Sequence, residues 1–130
     1  MENKSKAILR IYLEAVEATL KVLHPEPLSR VEATATRYFL LGVTDFLRQA
    51  NKIENSEFLQ LYSWALDKFQ ISHPESTAEL IGFLYEQMKE NEELEEIVRL
   101  GAGSIFFWTA KSDNSAAMDL LSLVKSVKKD

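Results

Sequence analysis

Tyr38-Phe39-Leu40-Leu41-Gly42-Val43 sits in the middle of a stretch, Ser29 to Lys52, that reads as one uninterrupted helix. An ordinary surface helix carries a single apolar stripe. Here Ala35, Phe39, Gly42, Phe46 and Ala50 recur at helical spacing as one stripe, and Leu40, Val43 and Leu47 form a second. A helix with two apolar stripes needs neighbours on both flanks, so this segment is expected at the centre of an all-α bundle of five to six helices. Its start is marked by Ser29 and Glu32, the spacing of a capping box. Pro25 and Pro27 prevent the preceding helix from running into it. Gly42 costs about 1 kcal/mol relative to Ala in a helix interior. Its place among large residues marks a close crossing by a neighbouring helix, in preference to a hinge or a ligand approach.

The segments on either side carry their own helical patterns. Upstream, Leu9, Tyr12, Leu13, Val16, Leu20 and Leu23 recur at three- and four-residue steps from Ser5 to Leu23. Glu14, Glu17 and Lys21 lie along the outer face, with Glu17 and Lys21 spaced as a favourable i,i+4 pair. Downstream, a helix over 57–70, capped by Asn55 or Ser56, carries Phe58, Leu61, Tyr62, Ala65 and Phe69 on one face, with Trp64 off the stripe. Ser76 and Glu79 start another over 77–90, with Leu80, Phe83, Leu84 and Met88 inward. Asn91 caps a fifth, whose inward face is Leu94, Ile97, Val98, Gly101, Ile105 and Trp108. After a turn at 112–115, capped by Asp113 or Ser115, the last helix runs to about Lys128 with Ala117, Leu120, Leu121, Val124 and Val127 inward. Lys125, Lys128 and Lys129 suit the negative end of its dipole. No segment alternates with period two, so no sheet is expected.

One internal echo stands out. His-Pro-Glu occurs at 24–26 and at 73–75, each time ahead of a Ser-x-x-Glu helix start. At an offset of 49, Leu9, Tyr12, Leu13, Val16 and Leu20 align with Phe58, Leu61, Tyr62, Ala65 and Phe69. Two copies are fewer than a solenoid needs, and proline turns with capping boxes are a common way to join helices.

Composition limits the function classes. The 130 residues suit one core, read as a single helical domain over 1–130. Four glycines and three prolines are too few for the turns of a β-sandwich. The chain has no cysteine, hence no disulfide framework, thiolate nucleophile or Cys-based zinc site. The first six residues lack the apolar core of a signal peptide, and no apolar run approaches the roughly 20 residues of a membrane span. The expectation is a soluble, cytoplasmic protein with no membrane partner. A net charge of −5 argues against general nucleic-acid binding, which rests on cations neutralising phosphates. A helix-turn-helix on duplex DNA is disfavoured for the same reason.

Chemistry-bearing motifs are scarce. Neither Glu-x-x-His nor His-Glu-x-x-His is present. Both histidines directly precede proline at helix ends, where a role in capping the last carbonyls is expected. Nothing resembles a Gly-x-Ser-x-Gly elbow. Gly101-Ala102-Gly103-Ser104 lacks the lysine and the preceding strand of a phosphate loop. No cofactor or metal is implied, and the pattern points away from an enzyme.

Three polar or aromatic constellations remain. Arg37, Thr44, Asp45 and Arg48 lie near one line of the central helix and form the candidate site for a small anionic ligand or for catalysis. Glu86, Glu90, Glu92, Glu93, Glu95 and Glu96 concentrate negative charge at the fourth-to-fifth helix turn, relieved only by Lys89. Phe106-Phe107-Trp108 point about 100° apart on a helix, so either this segment is enclosed or one ring, Phe107, projects outward. The acidic run and Phe107 are the candidate partner-binding residues. The first expectation is therefore a non-enzymatic interaction module, an adaptor, regulator or inhibitor of another protein, or a homodimer.

Overall fold

The computed structural model describes residues 3–127, and among them the chain forms six α-helices and one 3₁₀ segment, with no strand. The helices are α1 (Lys4–Leu23), α2 (Arg30–Asn51), α3 (Asn55–Lys68), α4 (Thr77–Glu90), α5 (Glu92–Ala110) and α6 (Asp119–Ser126). The 3₁₀ segment, Asn114–Met118, leads into α6. They pack as a single-domain bundle around α2.

Every residue from Tyr38 to Thr44 is buried, so both apolar stripes of α2 are covered along its middle. Only the end of the first stripe escapes, Ala50 being exposed. The start of α2 forms the expected capping box. Glu32 N–H donates to Ser29 Oγ at 3.1 Å, and Ser29 N–H donates to Glu32 Oε1 at 2.8 Å. Lys52 ends the helix in the left-handed conformation, φ 53°.

Named contacts give the directions of the neighbours. Ser5 meets Asn51 and His24 meets Glu32, so α1 runs antiparallel to α2. Tyr62 donates to the Arg37 carbonyl while Arg48 lies over Phe58, so α3 is also antiparallel to it. α5 runs parallel, Phe39 lying beside Gly101 and Phe46 beside Phe106. The α2–α5 interface is the most extensive between any two helices of the bundle. Its closeness rests on two glycines. A Cβ on Gly42 would lie 1.8 Å from the Val98 carbonyl oxygen, and one on Gly101 would lie 2.0 Å from that of Phe39. Gly42 thus marks a backbone-to-backbone approach, and Gly101 supplies its counterpart.

Several expected details differ. α3 begins at Asn55, inside which Asn55 and Ser56 are helical, because Glu54 takes the extended N-cap position without a side-chain bond. Phe83 points outward, 58% exposed, because α4 lies at the edge of the bundle and buries only Leu80, Ile81 and Leu84. At α4 the capping box is half formed: Ser76 Oγ accepts from Glu79 N–H, but the Glu79 carboxylate takes the Ser76 hydroxyl. Asp113 caps a 3₁₀ turn before α6, through the Ser115 N–H at 3.0 Å. Lys128 and Lys129 lie outside the described residues. Trp64, off the α3 stripe, has the ammonium groups of Lys6 and Lys68 at 5.9 and 5.5 Å from its ring centroid.

Candidate functional site

The polar line on α2 does not converge. Thr44 is fully buried and donates back to the carbonyls of Leu40 and Leu41, at 2.9 and 3.2 Å. Asp45 and Arg48 come together as an ion pair. Asp45 also accepts from Gln49 at 2.7 Å, and Arg48 stacks over Phe58, 4.4 Å from its centroid. Arg37 lies eleven residues before Arg48, a rise of about 16 Å, too far for the two to grip one small anion. Its guanidinium donates to the Ser72 carbonyl at 3.0 Å and ties α2 to the α3–α4 link. Its Nε is buried without a hydrogen-bond partner. None of the four lines a cavity described below.

The two His-Pro-Glu turns repeat their local geometry. His24 Nδ1 faces the Glu26 carbonyl at 3.1 Å, and His73 Nδ1 faces that of Glu75 at 2.7 Å. The rings thus bond carbonyls beyond the helix ends, while the His24 backbone N–H caps Leu20. They diverge at the other nitrogen. His24 Nε2 reaches Glu32 Oε2 at 3.1 Å, with the two side chains only 4% and 1% exposed. Each ring nitrogen thus faces an oxygen acceptor, and the protonated ring is the form that donates from both. Burial opposes the ring's charge, but the hydrogen bond and charge of Glu32, with Glu26 adding, hold its pKa above the ordinary histidine value. This pairing was not legible in the sequence, where Glu32 already had a role as a cap.

A second buried polar node ties three elements. Tyr12 OH meets Ser104 Oγ at 2.5 Å, and Ser104 Oγ donates to the Ala116 carbonyl at 2.9 Å. The serine therefore accepts from the tyrosine. Burial holds the Tyr12 phenol above its ordinary range. With Trp108 packed edge-on against Tyr12, the node is a buried joint between α1, α5 and the 3₁₀ segment, with Ser104 and Ala116 at the floor of a small recess.

The acidic run divides by location. Glu86 pairs with Lys89 at 3.2 Å and Glu95 with Arg99 at 2.9 Å, while Glu90 and Glu92 are exposed at the α4–α5 turn. Glu93 and Glu96 stand on the rim of a solvent-open groove of ≈ 1070 Å³ between α5, the first turns of α2 and the end of α6. Its walls are apolar: Val31, Ala35, Ile97, Leu100, Leu123 and Val127. Arg30 is the cation on its rim.

Leu100 also lines a second recess, ≈ 340 Å³, bounded by Phe107, Ala116, Asp113, Asp119 and Arg99. The two recesses have Leu100 in common and follow one another along α5 from Glu93 to Phe107, a seam bordered by α6, which runs antiparallel to α5. Leu100 is 41% exposed and Phe107 47%. Phe107 is outward, and so is Phe106, whose ring packs edge-on against Phe46 and Phe107. The sequence carried Phe107, Glu93 and Glu96 as separate features; helical spacing puts them along one seam. Leu100 was missed, although its seven-residue step to Phe107 is a helical repeat.

Burial holds the Asp119 carboxyl above the usual carboxylate range, with the nearby Ser104 hydroxyl opposing and the charge of Asp113 adding. Among the described residues no group of three His, Asp or Glu side chains is placed to hold a metal ion. No helix there is long and apolar enough to cross a membrane. Comparison with protein-family models, curated proteins and solved structures finds no match.

Proposed function

We propose that this protein is a non-enzymatic interaction module that holds a segment of another protein in the seam along α5. The observation that carries the reading is the seam's shape and lining. The groove, ≈ 1070 Å³, stands at the upper end of the size range of ligand pockets, is open to solvent and is lined mainly by apolar side chains. Leu100 and Phe107 stay exposed along this face of α5, and exposed large apolar side chains bordering a groove are characteristic of protein-binding surfaces. The polar groups of the chain, by contrast, serve packing: Thr44, Arg37, Ser104 and His24 all bond within the fold.

Selection of a displayed random-peptide library against the protein, with its Leu100→Glu variant as the counter-target, tests this directly. Leu100 is partly exposed, so the variant is expected to keep the wild-type circular dichroism and melting temperature. Peptides that bind wild type should lose about tenfold or more in affinity on the variant. Selected peptides that bind both proteins equally, or an empty selection, would remove the seam as the binding site.

A further inference from the structure

Resting on the reading of the seam as a binding site, we infer that its occupant is one amphipathic helix of another protein, apolar on the buried face and basic along its flanks. From Glu93 to Phe107 the seam follows α5 for about 21 Å, the length of a helix of about four turns. The apolar lining repeats at helical steps on α5 itself: Ile97, Leu100 and Phe107. A second helix laid alongside presents its own apolar residues at i, i+3, i+4 and i+7 steps, the usual mode of helix-in-groove recognition.

Charge selects among helices. Among the described residues the rim carries Glu93, Glu96, Asp113 and Asp119 against Arg30 and Arg99. Arg99 is already paired with Glu95 at 2.9 Å, and Lys125, on the exposed side of α6, does not line the seam. The chain as a whole is at −5. A second copy docked groove to groove would bring two acidic rims together, which like-charge repulsion opposes. A flank of lysine or arginine would instead meet Glu93 and Glu96 on α5, and Asp113 and Asp119 near the 3₁₀ segment, whose carboxylates, among the described residues, bond only to neutral partners within the fold.

The test uses three synthetic helical peptides of about 16 residues, with the same leucine stripe and with Lys, Gln or Glu at the flanking positions. Binding is followed by fluorescence anisotropy and mapped by amide chemical shifts. The expected order is Lys tighter than Gln tighter than Glu, with about tenfold or more between the extremes at low salt and less at high salt. Shifts should fall on α5, α6 and the first turns of α2, and Leu100→Glu should abolish binding of the Lys peptide. The double change Glu93→Lys with Glu96→Lys should reverse the order. If all three peptides bind equally well but lose binding on Leu100→Glu, the basic partner is excluded while the seam survives. A Lys peptide that binds Leu100→Glu as it binds wild type, or an order that the charge swap leaves alone, overturns the inference. So does a dimer in sedimentation equilibrium that Leu100→Glu dissolves, because the occupant is then a second copy.

Discussion

A methyl group at position 42 would have to occupy space 1.8 Å from the Val98 carbonyl oxygen, and one at position 101 would meet the Phe39 carbonyl at 2.0 Å. Both obstacles are backbone, so relief requires the two helices to move apart. Gly42→Ala is expected to cost about 2 kcal/mol or more, against the gain a helical alanine ordinarily brings. Gly82, on exposed α4, has nothing within 4 Å of its missing Cβ. There the same substitution should stabilise by about 0.5–1 kcal/mol. Urea denaturation of the two variants checks the pair, and a Gly42→Ala protein as stable as wild type would dissolve the account of the α2–α5 contact. The glycine among large residues announced a close approach. It did not name α5 as the neighbour, because periodicity orients a helix face without saying what lies against it.

Single elements start and stop largely where their caps put them. Ser29, Ser76 and Asn91 each accept a backbone N–H of the helix they precede, and all three starts were readable. α3 was read late, because its N-cap residue Glu54 makes no side-chain bond and leaves no mark. The α1–α2 turn adds a titration. His24 is held above its unfolded value of about 6.5, so its contribution to stability is complete below that pH. It is lost as pH rises through the folded value. The groups around it are Glu32 and Glu26, with Glu17, Lys21 and Lys68 lining the recess outside. Wild type should therefore lose stability as pH rises above about 6.5, and His24→Gln should flatten that part of the profile. Urea midpoints across the range measure it; an unchanged slope in the variant would show that other groups carry the effect.

Across the whole molecule, the Tyr12–Ser104–Ala116 node joins elements 92 residues apart in sequence. Ser104→Ala leaves both the phenol and the Ala116 carbonyl without their partner and should cost about 2–3 kcal/mol. Tyr12→Phe leaves the serine still bonded to the carbonyl and should cost only about 1 kcal/mol. The double variant should be little worse than Ser104→Ala alone, since the tyrosine's bond is already lost there. Equal costs for the two single changes, or full additivity, would mean the hydroxyls do not act as one unit. Nothing in sequence pairs Tyr12 with Ser104, because each looks like an ordinary position on its own helix.

The order of helices, the enclosure of α2 and the close crossing at Gly42 followed from the sequence alone, since hydrophobic periodicity, caps and glycine cost are local properties of consecutive residues. Tertiary structure alone decided that α4 lies at the edge with Phe83 outside, that His24 and Glu32 meet as a buried pair, and that Glu93, Leu100 and Phe107 fall along one side of α5. Those outcomes depend on which helix lies against which, and the choice is made by shape, charge and burial summed over the whole chain, which no window of sequence contains.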